Sequence, residues 1–371
     1  MKILHTESSC GWGGQELRVL NEAAGMMRRG HEVLIAAPTE SRIFEEASRH
    51  GVPVRALPIR KKTLHGLRAM RALLTSMAPS VVNTHSSTDT WTVALASVGL
   101  RDAPPLVRTR HISAPIPDNF TSRWLYRRAT ASVVTTGEAL RLQVIREVGL
   151  DADRVTSVPT GIDLERFSPG DRLAARRALS IPGLPEQGVI IGIVATLRSW
   201  KGHRYLVDAM TGQGLELAHL LIVGDGPGRD NLTAQIAATG QQRRATMAGN
   251  QADVVPWLRA MDIFVLPSYA NEGVPQALMQ AMATGIPVVT TAVGAIGELV
   301  RPDDTGLVVT TQDVPAIQTA LRRLMGDAAL RERLSGAALS HVRKHCSQEN
   351  MLERMEAVFN NTVARRAARA K

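Results

Sequence analysis

Residues 263–290 read Ile263-Phe264-Val265-Leu266, then Pro267-Ser268-Tyr269-Ala270-Asn271-Glu272-Gly273-Val274, then Pro275-Gln276-Ala277-Leu278-Met279-Gln280-Ala281-Met282-Ala283-Thr284-Gly285, then Ile286-Pro287-Val288-Val289-Thr290. The outer pieces are short, apolar and branched, as strands covered on both faces are. Between them Pro275 suits a first helical turn and Gly285 a carboxyl cap, while Val274, Leu278, Ala281 and Met282 fall on one apolar stripe. Strand, loop, helix and strand in that order make one unit of a parallel sheet covered by helices.

The alternation continues in both directions. Upstream strands are expected at 189–196, 219–224 and 245–248, and a downstream one at 306–310; the first half carries the same pattern at 2–6, 32–37, 80–84, 105–110, 132–136 and 155–159. Between Phe167 and Gln187, Pro169, Gly170, Pro182, Gly183 and Pro185 surround one short basic helical stretch and read as a linker. At 371 residues the chain is too long for one core. The fold class expected is α/β, with two doubly wound, Rossmann-like domains, 1–170 and 171–346, and a ligand cleft between the carboxyl ends of their strands. Residues 313–345 read as two helices. The segment 347–371 reads as a last helix, with Met351, Met355, Val358 and Val363 near helical spacing, packing back on the first domain.

Apolar residues at 44 % and charged residues at 21 % exclude a disordered chain. Cys10 and Cys346 are the two cysteines, too few for a disulfide framework or a structural zinc site. No run approaches the roughly 18 apolar residues of a membrane span, and polar residues follow Met1-Lys2-Ile3-Leu4-His5 too soon for a signal peptide, so a cytoplasmic location is expected. A net charge of +10 asks for an anionic partner. With 4 % aromatics, not interleaved with the basic residues, nucleic acid is the poorest candidate. Arg55, Arg60, Lys61, Lys62, Arg68 and Arg71 form a stretch without an acid, and Leu67, Met70, Leu74 and Met77 share a helical arc. That combination suits a peripheral position on an anionic membrane surface.

The candidate chemistry sits in the loops after the strands. Gly11-Trp12-Gly13-Gly14 lets backbone approach a ligand before a helix whose first amides favour negative charge. Arg198 and Lys201, after the strand at 189–196, are two cations suited to a diphosphate. The glycine-rich Gly224-Asp225-Gly226-Pro227-Gly228 reads as a tight structural turn. Glu272 falls at the mouth of a helix and Gln280 eight residues on, about 12 Å at helical rise, so that both can face one elongated ligand such as a nucleotide sugar. Glu138 and Asp163 read as structural. Asp151-Ala152-Asp153, with no third ligand nearby in sequence, reads as a solvated turn and not a metal site.

Taken in order, these segments resemble the retaining glycosyltransferases of family 4, which have the GT-B fold, and in particular their lipopolysaccharide-type members. The resemblance rests on Glu272 through Gln280, on Gly13-Gly14, on Pro159-Thr160-Gly161-Ile162-Asp163 with Arg166-Phe167, on Lys201-Gly202 and on Val223-Gly224-Asp225-Gly226-Pro227, and it covers nearly the whole chain. It implies that Glu272 contacts the transferred sugar, that Lys201 meets the diphosphate, and that His111 lines the cleft beside the reacting sugar; His85 similarly ends the strand at 80–84, where a ligand role and a structural one both stand open. Gly273, Val274 and Pro275 would line the donor. Gln280 stands where the family usually has a second carboxylate gripping ribose; Thr196 stands where a diphosphate-binding arginine is usual, with Arg198 its replacement two residues on. The implied reaction is transfer from a nucleotide-diphosphate sugar, bound mostly by the second domain, to a glycan or lipid-linked acceptor, bound mostly by the first. No metal and no other cofactor is implied. An epimerase or hydrolase of nucleotide sugars, or a non-catalytic binding module, would fit the same fold.

Overall fold

The computed structural model describes residues 1–270 and 272–370; Asn271, in the loop quoted above, and Lys371 lie outside the described residues. The chain forms two compact units, Met1–Gly161 with the residues from Gln348 onward, and Ile162–Ser347.

The first unit holds β1 (Lys2–Thr6), β2 (Glu32–Ala37), β3 (Val54–Ala56), β4 (Val81–Thr84), β5 (Leu106–Arg110), β6 (Ser132–Thr135) and β7 (Val155–Ser157), in the order 3-2-1-4-5-6-7. Every pairing is parallel. The second unit holds β8 (Ile190–Val194), β9 (His219–Val223), β10 (Ala245–Gly249), β11 (Ile263–Leu266), β12 (Val288–Thr290) and β13 (Leu307–Val308), in the order 10-9-8-11-12-13, again all parallel. β3 is the strand the sequence reading lacked. It has three residues, lies at a sheet edge and exposes Arg55 and Ala56, so no buried apolar run announces it.

Each order reverses once, between β1 and β4 and between β8 and β11. In open α/β sheets such a switch point, at the strands' carboxyl ends, is where ligands bind. The central strands there are buried throughout: Ile190–Val194 and Ile263–Leu266 contribute nine consecutive-run residues, none more than a tenth exposed. Leu206, Leu232, Leu258, Leu278, Ile317, Leu321 and Leu334 cover that sheet. In the first unit one face is covered by Val19, Leu20 and Met26 of the helix Gly14–Arg28 together with Met351, Leu352, Met355 and Phe359 of the helix Gln348–Ala370.

Three expectations are revised. Residues 162–170 belong to the second unit and not the first, because the Ile162 amide donates to the Cys346 carbonyl at 2.9 Å and Phe167 is buried in the second core. The stretch read as a linker is built in as well. Its helix Arg172–Leu179, capped by Asp171, points buried Arg176 at the carbonyls of Ala260, Glu186 and Gly188 and at the Asp262 carboxylate. The apolar arc of the helix Leu64–Met77 is core and not a membrane face: Met70 and Leu74 are buried, and Leu67 and Met77 pack on the same cluster.

Candidate active site

At the second switch point the loops after β8 and β11 interlock. After β8 the chain makes a short turn, Ser199–Lys201, and leaves it through Gly202 at φ +79°. A Cβ at Gly202 would stand 2.1 Å from the Pro267 carbonyl oxygen, so glycine is required by both conformation and space. The Tyr269 amide donates to the Trp200 carbonyl at 2.8 Å, tying the two loops together. This places Lys201 Nζ 2.7 Å from Glu272 Oε1 and 2.9 Å from Oε2. Glu272 is buried, Lys201 is partly exposed, and the Ser268 hydroxyl donates to Glu272 Oε1 at 2.6 Å. Gly294 backs the Glu272 main chain: its Cβ would fall 2.0 Å from the Glu272 carbonyl oxygen. The structure therefore joins two side chains 71 residues apart in sequence.

The helix after this loop is Gln276–Ala283. Pro275 precedes it as an extended N-cap residue, φ −68° and ψ 122°, one position earlier than a first-turn proline. Glu272 is accordingly in the loop and not on the helix, so a distance to Gln280 reckoned at helical rise does not apply. The Gly285 and Ile286 amides close the helix end on Met282 and Ala281. Leu278, Ala281 and Met282 are fully buried, and Val274 packs on the same core. Half-buried Gln280 makes no side-chain hydrogen bond to another described residue. Exposed Arg198 lays its guanidinium over the Trp200 ring at 5.3 Å and takes no part in the Lys201–Glu272 pair. The turn at 224–228 packs on the same loop, with the Leu197 amide donating to the Asp225 carbonyl at 3.0 Å.

At the first switch point three histidines meet. His5 on β1, His85 just past β4 and His111 just past β5 form a row: His5 Nδ1 lies 3.0 Å from His85 Nε2, and His85 Nδ1 lies 3.1 Å from His111 Nε2. Burial holds His5 down at about 3 and holds His85 and His111 well below the ordinary histidine value; neighbouring histidines and Arg18 add to the effect on His85, and Arg18 adds to that on His111. Gly13 caps the helix Gly14–Arg28 in extended conformation, and a Cβ there would meet nothing closer than a Glu16 carboxylate oxygen at 3.8 Å, so neither strain nor packing requires this glycine.

Below the Gly13–Gly14 loop, Glu7 accepts from the Ser9 amide and from Gln15, and burial, then the Asp89 charge, push its carboxyl up to about 8. Asp89 accepts from the Thr6 and Ser86 hydroxyls and from the His85 and Ser86 amides. Sequence reading missed His5, Glu7, Asp89 and Ser268; the available signal was polar residues placed at the carboxyl ends of otherwise apolar strands. Glu138 pairs with Arg141, Asp163 Oδ1 accepts from the Glu165 and Arg166 amides, and Asp153 pairs with Arg365. Among the described residues no group of three or more His, Cys, Asp or Glu side chains is arranged to hold a metal ion, and no helix is long and apolar enough to cross a membrane.

Residues 12–166 match the family described as Glycosyltransferase Family 4, and residues 188–327 match the one described as Glycosyl transferases group 1. A lipopolysaccharide core biosynthesis mannosyltransferase of Rhizobium meliloti is 30 % identical over 258 residues, 65 % of this chain and 68 % of that protein. The chain belongs to glycosyltransferase family 4. The first of its matched segments carries Gly13, Gly14 and His111, and the second carries Arg198, Lys201, Glu272 and Gln280. A D-inositol 3-phosphate glycosyltransferase of Stackebrandtia nassauensis is 33 % identical over 230 residues, 58 % of this chain and 51 % of that protein. This family 4 chain thus spans about half the length of that curated relative. The GT-B fold is also that of an Anabaena protein, HepE, solved in complex with UDP-glucose, with a TM-score of 0.85, 20 % identity, and 97 % of this chain and all of that one covered.

Proposed function

We propose that the chain transfers a glycosyl group from a nucleotide-diphosphate sugar to an acceptor hydroxyl with retention of anomeric configuration. The observation that carries this reading is the Lys201–Glu272 pair at the switch point of the second sheet. In it Lys201 turns from Glu272 to the diphosphate, and Arg198 adds charge from the exposed loop. Glu272, released, accepts from hydroxyls of the transferred sugar, while Gly273, Val274 and Pro275 line the donor and the Gln280 amide meets ribose. His111 bonds a sugar hydroxyl, and the Gly13–Gly14 loop lets backbone come close to the ligand. The bond between the anomeric carbon and the diphosphate oxygen breaks, and the acceptor oxygen bonds to that carbon on the same face. The acceptor proton passes to the departing diphosphate oxygen. Cationic side chains and helix amides stabilise that leaving group, and no metal takes part.

The acceptor in this reading is a lipid-linked or lipopolysaccharide-type glycan, met in the cytoplasm at the inner face of the membrane. The lipopolysaccharide relative favours it, as does the basic stretch before the helix Leu64–Met77, where Leu64 is 73 % exposed. Arg60 is paired with Glu40, Lys62 lies over the Trp91 ring and Arg71 is spent on the Ala96 and Val98 carbonyls, which leaves Arg55, Lys61 and Arg68 to meet anionic lipid. Sedimentation with neutral and anionic vesicles tests this: equal binding to both, or binding to neither, removes the membrane from the proposal.

The reaction itself is tested by mass-spectrometric screening of nucleotide sugars with and without glycan acceptors, followed by NMR of the anomeric centre. A new retained linkage is expected. Free sugar formed without acceptor would indicate a hydrolase, an isomerised donor an epimerase, and binding without turnover a non-catalytic module.

A further inference from the structure

We infer that His5 and His85 are positioning residues that fix His111 as a neutral imidazole protonated on Nδ1, so that His111 meets its glycosyl ligand as a hydrogen-bond donor and not as a base. The ligand half of this inference rests on the glycosyl-transfer reading; the protonation half rests on the geometry of the first unit alone.

The three rings form a row with both nitrogens of His85 engaged, at 3.0 and 3.1 Å, and with the His5 and His85 planes within 14° of parallel. His5 and His85 are buried, whereas His111 is half-buried and forms the outer end. The charged and titratable groups packed against the row are Arg18, which opposes protonation of His85 and His111 and is itself paired with buried Glu22, Asp89, which accepts from the His85 main-chain amide at 3.0 Å, and the histidines themselves; Phe359 closes the inner end, edge-on to His5. All three rings are therefore neutral at ordinary pH, and each carries one N–H.

Two proton arrangements satisfy both hydrogen bonds. In the inward one, His111 Nε2–H donates to His85 Nδ1, His85 Nε2–H donates to His5 Nδ1, and His5 must then carry its proton on Nε2. That nitrogen is buried and has no hydrogen-bond partner among the described residues. An orphaned buried N–H is costly and rare. In the outward arrangement His5 Nδ1–H donates to His85 Nε2 and His85 Nδ1–H donates to His111 Nε2. The unpaired site on His5 is now a lone pair, and the row's free N–H stands on His111 Nδ1, at the outer end. A hydroxyl oxygen of a sugar can accept from it. Because the one lone pair of His111 is taken up by the His85 Nδ1–H and burial opposes its protonation, the acceptor's proton must leave by another route, which agrees with its transfer to the diphosphate oxygen.

The test uses the full chain labelled with ¹⁵N-histidine and two-bond ¹H–¹⁵N correlation spectra from pH 8 to pH 5, His111 being assigned through His111→Asn. A neutral Nδ1–H tautomer that does not titrate over that range is expected. A His111 protonated on Nε2, or titrating near the ordinary histidine value, overturns the inference. In His85→Phe, which keeps a flat ring and removes both bonds, His111 should show mixed tautomers and begin to titrate. His85→Asn, whose amide N–H replaces the Nδ1–H donor, should restore the parent pattern. With a productive donor, His85→Phe should lower kcat roughly tenfold, the weight of one hydrogen bond, and add an acid limb to its pH profile. Should His85→Phe not fold, the parent spectrum decides. The expected spectrum without transfer from any donor overturns the function alone; the wrong tautomer with normal transfer overturns the inference alone.

Discussion

At the switch point of the second sheet an ammonium and a carboxylate meet at 2.7 Å; at the switch point of the first, three imidazoles meet at 3.0 and 3.1 Å, and burial disfavours the charged form of each. Strand order and strand direction are shared, so the backbone offers both places the same kind of crevice, and the side chains alone divide the work. A charge pair that is already satisfied gains from a ligand only if the ligand replaces both halves, which a diphosphate beside sugar hydroxyls does. A neutral row gains from a single hydroxyl oxygen. In the proposed reading the second site therefore takes the charged nucleotide and the first an uncharged glycosyl group.

The strongest attempt to break this division is Glu272→Ala. Turnover should fall by about a hundredfold or more, as when one group aimed at the reacting centre is removed, while nucleoside diphosphate affinity changes little. Initial rates and calorimetry on the same preparation check it; equal losses in both would move Glu272 from the sugar to the nucleotide. Lys201→Ala comes next. Removing the cation should weaken diphosphate binding by roughly 1.5 to 3 kcal/mol, and calorimetric titration showing unchanged affinity would end the assignment.

A third prediction sets two groups of the first unit against each other by pH. Glu7 binds its proton up to about 8 when folded, above its ordinary 4.5, so the folded chain holds a proton that the unfolded chain lacks across that interval and stability is lost as pH rises towards 8. His5 has the opposite sign: its folded value of about 3 lies below 6.5, and stability is lost as pH falls through that window. Glu7→Gln should flatten the alkaline side by on the order of 1 kcal/mol between pH 6.5 and 8 and leave the acid side in place. Urea midpoints of parent and variant at pH 5, 6.5 and 8 give the comparison. Smallest of all, Gln280→Ala should weaken nucleoside diphosphate binding by about 0.5 to 1.5 kcal/mol, the worth of one neutral hydrogen bond. An unaltered titration would make Gln280 a helix-surface amide only.

Among the described residues, twelve of the thirteen strands were legible because their apolar runs are bounded by turn residues; β3 was not, having three residues and an exposed edge. The second site was legible in part. Lys201 and Glu272 each stood out in a loop after a strand, but their direct pairing depends on Gly202 and Gly294 letting main chains approach to distances a Cβ forbids, and spacing in sequence does not encode that. The first site was harder to read. His111 and His85 end their strands visibly, whereas His5 looks like an ordinary strand residue until the 3-2-1-4 order sets β1 beside β4. Arg176 shows the limit from another side: a basic helix among prolines looks like a solvated linker, yet its guanidinium is buried against three carbonyls and a carboxylate.

The helix Gln348–Ala370 gives the chain an unusual order of assembly. Met351, Leu352, Met355 and Phe359 supply a wall of the first unit's core, and buried Arg18 reaches the Met355 sulfur at 3.8 Å, although 186 residues of the second unit are translated in between. The second unit is continuous in sequence and needs nothing translated after Ser347 to complete its core. The first unit begins synthesis earlier but closes its core later, its open face standing uncovered during translation. Protease pulses on ribosome-bound chains should therefore find residues 162–347 protected before residues 1–161.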